Sequence, residues 1–335
     1  MNEPGHSHSD NPLERPAHAH GAIDPAILAT ERGIRALRWS FAGLFLTAAL
    51  QLAVVLLSGS VALLADTVHN LADAATAIPL WIAFALGRRK PSQSFTYGYG
   101  RVEDLAGVVI VAIILASAVV AGYESVAGLL HPRKVEYLWA VAAAALIGFA
   151  GNEAVAVFRL KVGREIGSAA LVADGYHARV DGLASLAVLI GALGVWAGYP
   201  AADPLVGLLI TIVILKIVRE SGAAVFGRLL DRADPGAIDE IKHAVGHISG
   251  VEDVGEVRIR WLGHRQHAEL NIAVDQNLSV EKGHEIANRV RHELLHRLRY
   301  LAGATIHIDP ANASGEEHHR IGAHAHDNLP RHSHS

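Results

Sequence analysis

The chain has 335 residues, 51% hydrophobic and 19% charged, which is too apolar for an ordinary soluble enzyme and long enough for several membrane segments. A net charge of −4 offers no basic field for nucleic acid, and the lack of cysteine excludes disulfides and thiolate metal sites. Any metal must therefore be held by nitrogen and oxygen, for which 21 histidines are an unusual supply.

Residues 1–34 are polar, His-bearing and Pro-containing, without the apolar core of a cleavable signal peptide, and are expected to form a disordered cytosolic N-terminus. Residues 35–232 hold six apolar runs of at least about 20 residues, the length an α-helix needs to cross the hydrocarbon core. They are Leu37–Leu57, Ser60–Gly87, Asp104–Val126, Tyr137–Arg159, Ile166–Gly198 and Pro204–Val225. The joints read as short loops, among them Arg88–Arg101, His131–Glu136, Arg159–Glu165 and Gly198–Asp203. Lys and Arg concentrate in the second joint (Arg88, Arg89, Lys90, Arg101) and the fourth (Arg159, Lys161, Arg164), which puts both termini in the cytoplasm.

From residue 233 the composition turns charged. Asp234 is a helix cap followed by Pro235, and Ile238, Ile241, Val245 and Ile248 recur at helical spacing. Two alternating runs follow, then a helix capped by Ser279, then the strand Ala304–Pro310. The order αββαβ over residues 233–310 suits a small cytosolic ferredoxin-like domain. By period two, His267, Glu269 and Asn271 share one strand face, as do His307 and Asp309 on another. Residues 311–335 read as a disordered His-rich tail, and the two termini together supply ten of the 21 histidines, suited to low-affinity metal capture.

The second and fifth spans carry one skeleton twice: Asp66, His69 and Asp73 in "ADTVHNLAD", and Asp174, His177 and Asp181 in "ADGYHARVD". The spacing i, i+3, i+7 puts each trio on one helix face near mid-bilayer. Ionisable residues there cost at least ~2.5–3.5 kcal/mol each, so they require a partner, a cavity or an ion. His69, Asp73, His177 and Asp181 make a complete tetrahedral set for Zn²⁺, with two carboxylates cancelling the charge of the dication. Hard ions prefer more oxygens, whereas Co²⁺, Ni²⁺ and Cd²⁺ remain neighbours of Zn²⁺ in preference. Imidazole must be neutral to ligate, so protons compete for the same site. The bland alternative is that each His/Asp pair bonds a neighbouring helix.

Six spans with "HNLAD" in the second and "HARVD" in the fifth, then a domain ending "HIDP", resemble the cation diffusion facilitator family between about Leu37 and Pro310. The resemblance implies a homodimer in membrane lipid that exchanges cytosolic divalent metal for protons by alternating access. It makes His69, Asp73, His177 and Asp181 the transport ligands, in the manner of the zinc-preferring branch, with Asp66 and Asp174 as relay or supporting groups. The family's "FGHGKAE" loop motif reads "YGYGRVE" here, so no metal site is expected there, and Arg101 and Glu103 read as an ion pair or loop anchor. Of the family's cytosolic ligands His284, His307 and Asp309 fit, while Gly255 and Asn271 stand where further histidines occur; His267 and His264 are substitutes. Arg179 is expected to point away from the ion, and Glu153 and Asn152 to line a vestibule or to reach out to water.

The sequence thus reads as an all-α six-helix transmembrane bundle with a cytosolic α/β domain, acting as a proton-coupled Zn²⁺ exporter in a bacterial inner membrane. An intramembrane zinc enzyme lacks an HExxH motif and an open coordination position, and a metal sensor lacks an output domain.

Overall fold

The computed structural model describes residues 25–58, 77–130, 137–199, 201–313, 321–324 and 332–334. Its helices are α1 (Pro25–Ser58), α2 (Ala77–Gly87), α3 (Arg101–Leu130), α4 (Leu138–Ile166), α5 (Ala169–Trp196) and α6 (Ala202–Leu229), then α7 (Pro235–Gly246) and α8 (Val280–Arg297). The strands are β1 (Asp253–Leu262), β2 (Arg265–Val274), β3 (Leu301–Pro310), β4 (Ile321–His324) and β5 (His332–His334).

Four helical stretches among the described residues are long and apolar enough to cross a membrane: Ala29–Leu57, Arg101–Leu130, Trp139–Ile166 and Ala169–Trp196. Only the last part of the predicted second span is described, as α2, since 60–76 lie outside the described residues. Helix α6 has 28 residues but gathers Lys216, Arg219 and Glu220 in its second half. Large apolar side chains such as Trp39, Leu46, Val119, Val120, Leu209 and Ile212 face outward, while Thr47, Gln51, Asn152, Asp174 and His177 are buried. That polarity is inside out for water and right for lipid, where helices hide their polar groups among themselves.

The predicted loop Arg159–Glu165 is helical. Helix α4 runs on to Ile166, Gly167 closes it with φ 75°, and Ser168 caps α5 by accepting a hydrogen bond from Leu171 N at 3.0 Å. Glycine after one helix and serine before the next form a two-residue turn, which folds α5 antiparallel onto α4. Glycines then let the backbones close up: a Cβ on Gly163 would lie 2.9 Å from Val172 N, and one on Gly175 3.0 Å from Leu160 N.

The α/β part has the predicted order, α7-β1-β2-α8-β3. Asp234 caps α7 by accepting from Gly236 N at 3.0 Å, and Ser279 caps α8 by accepting from Lys282 N at 3.3 Å. The sheet runs β1-β2-β3, with β1 and β2 antiparallel and β2 and β3 parallel. Strand β2 alternates as expected, with Ala268, Leu270 and Ile272 buried under Ile241, Val245, Ile286, Val290 and Leu294. In the tail expected to lack order, the backbones of β4 and β5 pair antiparallel, a two-stranded ribbon of marginal stability in water.

Candidate metal centre

Helix α5 carries its trio as the spacing predicts. His177 and Asp181 lie ~12 and ~18 Å along the helix from Ala169. His177 is 1% exposed, and its Nδ1 lies 3.8 Å from Asp181 Oδ1. Neither ring nitrogen of His177 has a hydrogen-bond partner among the described residues. A buried imidazole in that condition is costly unless something binds it, because water has been stripped from both nitrogens. Asp66, His69 and Asp73 lie outside the described residues, and among the described residues no three His, Asp or Glu side chains are placed to hold a metal ion together.

Asp174, expected to relay protons or support the ligands, faces Arg159 of α4, with Nη1 3.0 Å from Oδ2 and side chains 1% and 0% exposed. The guanidinium is permanently charged, so this carboxylate has a fixed countercharge. One helical turn further, Arg179 Nη2 and Nε donate to Glu153 at 2.5 and 3.1 Å. Arg179 thus does face another helix, and Glu153 is its partner rather than a snorkelling end group. Two ion pairs clip α4 to α5 on either side of His177, and the sequence reading matched neither pair.

The cytosolic end holds a second group of contacts that the sequence reading missed. The turn between β1 and β2 is Gly263–His264, with Gly263 at φ 65°, where a Cβ would lie 2.7 Å from Glu103 Oε2. Gly263 N donates to Asp104 Oδ2 at 3.1 Å, and Arg228 donates to the Gly263 carbonyl at 3.3 Å and to the Gly167 carbonyl. His264 Nδ1 meets Glu103 Oε2 at 2.7 Å and its Nε2 meets Thr30 Oγ1 at 3.2 Å. Arg228 also lies 3.9 Å above the Trp261 ring. Arg101 binds Asp231 at 2.8 and 2.9 Å and the Leu229 carbonyl at 3.1 Å. Arg101 and Glu103 are therefore anchors but do not pair with each other: Glu103 holds the cytosolic hairpin through His264, and Arg101 holds the end of α6. His264, considered as a cytosolic metal ligand, is buried at this joint because the hairpin tip wedges between α1 and α3.

Arg228 ties three elements together, so Arg228→Ala loses a cation–π contact and two charge-assisted hydrogen bonds, about 2 kcal/mol or more of local stability. Limited proteolysis between residues 229 and 234 is expected to run several-fold faster in this variant; an unchanged rate would mean the joint is held elsewhere.

The four cytosolic candidates do not meet within one chain. His307 Nε2 contacts Asp309 Oδ1 at 3.0 Å, with Asp309 buried and His307 exposed. His267 pairs with Gly303, four residues before His307 on β3, hence ~13 Å away along the sheet. His284 is exposed on α8, which packs over the opposite sheet face through Ile286 and Ile308. Burial first, then Arg265 and Arg260, hold His267 below the usual imidazole range, against an upward pull from Glu269. The neutral, ligating form of His267 is thus favoured.

Two family models match the chain: the cation efflux transmembrane domain over residues 37–230 and the cytoplasmic domain of cation efflux proteins over 233–311. A probable cation efflux system protein of Mycobacterium tuberculosis is 52% identical over 297 residues, 88% of this chain and 90% of that protein. The manganese efflux system protein MneP of Bacillus subtilis is 26% identical over 263 residues, 76% of this chain and 88% of that protein. A solved structure described as MamM-CTD 215-293 is 25% identical and covers 22% of this chain and 95% of its own, with a TM-score of 0.22.

Proposed function

The chain belongs to the cation efflux family, and on that premise we propose that it exports Zn²⁺ from the cytoplasm in exchange for protons by alternating access. Members of this family are transporters of divalent metal cations, not enzymes. The observation that carries the proposal is His177, buried in an apolar helix beside Asp181 with neither ring nitrogen hydrogen-bonded among the described residues. With His69 and Asp73 from the second span it completes two nitrogens and two oxygens, a set that suits Zn²⁺, with Cd²⁺, Co²⁺ or Ni²⁺ as secondary substrates. A relative named for manganese shares the family, so the preference for zinc rests on this ligand chemistry alone.

In the cycle, neutral His69 and His177 and ionised Asp73 and Asp181 take the ion while the site opens to the cytosol. After the helices reorient, protons from the opposite side displace the ion and are carried inward. Asp66 and Asp174 support the ligand face. The architecture that goes with this cycle is six spans over 35–232, both termini in the cytoplasm of a bacterial inner membrane, and a ferredoxin-like domain over 233–310 that pairs two protomers. A regulatory metal using His267, His284, His307 and Asp309 would draw on both protomers, since one chain brings only His307 and Asp309 together. The termini, 1–34 and 311–335, gather metal near the cytosolic mouth.

The test is zinc flux into proteoliposomes under an imposed pH gradient, with internal pH followed and Mn²⁺ as competitor. Zinc movement coupled to proton movement and little inhibited by Mn²⁺ is expected. Zinc bound without flux would sink the transport reading, and equal competition by Mn²⁺ would sink the zinc preference.

A further inference from the structure

Helix α7 buries Ile241, Ala244 and Val245 and leaves the opposite face to solvent, where His243 and His247 are both exposed. Four residues apart, with His247 as the residue that caps the end of α7, they lie one above the other. Their ring centroids are 4.5 Å apart with planes tilted by 59°. His247 Nδ1 lies 2.7 Å from the backbone carbonyl of His243. A carbonyl only accepts, so Nδ1 carries the proton and Nε2 keeps its lone pair. Tying one ring nitrogen to a backbone carbonyl is how proteins orient histidine ligands towards a metal.

The surroundings favour a cation. Asp239 and Glu240, four and three residues before His243, fall on the same helix face, against the single cation Lys242. Helix α8 has a similar pair, His292 and His296, with centroids 4.3 Å apart, but Arg289, Arg291 and Arg297 stand within three residues of it in sequence and the nearby carboxylate of Glu293 is paired with Arg297, which disfavours a dication.

We propose that His243 and His247 form a two-nitrogen chelating site for a borderline divalent cation, Zn²⁺, Cu²⁺ or Ni²⁺, with water completing the coordination shell. The site is separate from the membrane ligands and does not depend on them. Chelation closes the last turn of α7, and a ligand that binds only the folded chain adds stability by mass action.

The experiment uses the full chain in detergent. Equilibrium dialysis with Zn²⁺ compares the wild type, the double variant His243→Gln/His247→Gln and the control Lys242→Gln; glutamine keeps good helix propensity at these exposed positions. The double variant is expected to bind one Zn²⁺ fewer per chain and the control none fewer. Equal binding by all three would overturn the proposal.

A second measurement works on the intact pair. The chain has no cysteine, so Val280→Cys, at a position 91% exposed, takes a single nitroxide label. Pulsed EPR with Cu²⁺ should give a copper–nitroxide distance that disappears when the two histidines are replaced; persistence of that distance would overturn the site. Proton-driven zinc flux at saturating zinc should be unchanged in the double variant, and its loss would overturn the separateness of the site.

Discussion

His177→Ala is expected to reduce proton-driven zinc flux to the level of empty liposomes while the protein remains folded. The ring is 1% exposed, so its loss leaves a small cavity, yet it orphans no hydrogen bond among the described residues. For a metal site the loss is far larger. Changing groups that merely orient ligands costs 10–100-fold in affinity, so removing a ligand itself should cost at least ~100-fold. The measurement is zinc flux with internal pH recorded, beside size-exclusion and thermal unfolding of the same preparation. A folded variant with normal flux would remove His177 from the transport site.

Arg159→Ala is expected to destabilise the helical part by ~3–5 kcal/mol, the cost of leaving one partner of a buried pair unpaired. Asp174 is 0% exposed among the described residues, so the orphaned carboxylate must either stay charged at high cost or take up a proton. The double variant Arg159→Leu/Asp174→Leu should recover most of the loss, because apolar residues of similar volume replace a buried pair at little cost. Thermal unfolding in micelles measures both. If the single variant unfolds at the wild-type temperature, the pair does not hold α4 against α5.

The polar trio on α5 was legible because lipid penalises charge: Asp174, His177 and Asp181 stand out in an apolar run, and helical spacing alone aligns them. The caps at Asp234 and Ser279 and the alternation in β2 were legible for a similar reason, since each rests on residues close in sequence. The misplaced fourth joint hid more. Had the turn been set at Gly167–Ser168, where a glycine follows one helix and a serine begins the next, an antiparallel hairpin would pair residues roughly equidistant from it. Arg159 then falls near Asp174 and Glu153 near Arg179.

Composition and local pattern determined that this chain is a membrane protein with a cytosolic α/β end, and which residues of α5 face inward. Those properties follow from transfer free energies and from the period of a helix, both local in sequence. Only the tertiary structure decided that Asp174 belongs to Arg159, that Arg101 holds the end of α6 at Asp231, and that Glu103 meets His264, buried in the joint. These are pairings across 15, 130 and 161 residues, set by the register in which helices and hairpin pack. Spacing within one segment carries no information about that register, because it is fixed by close approach at Gly163, Gly175 and Gly263, where a missing side chain lets two backbones meet.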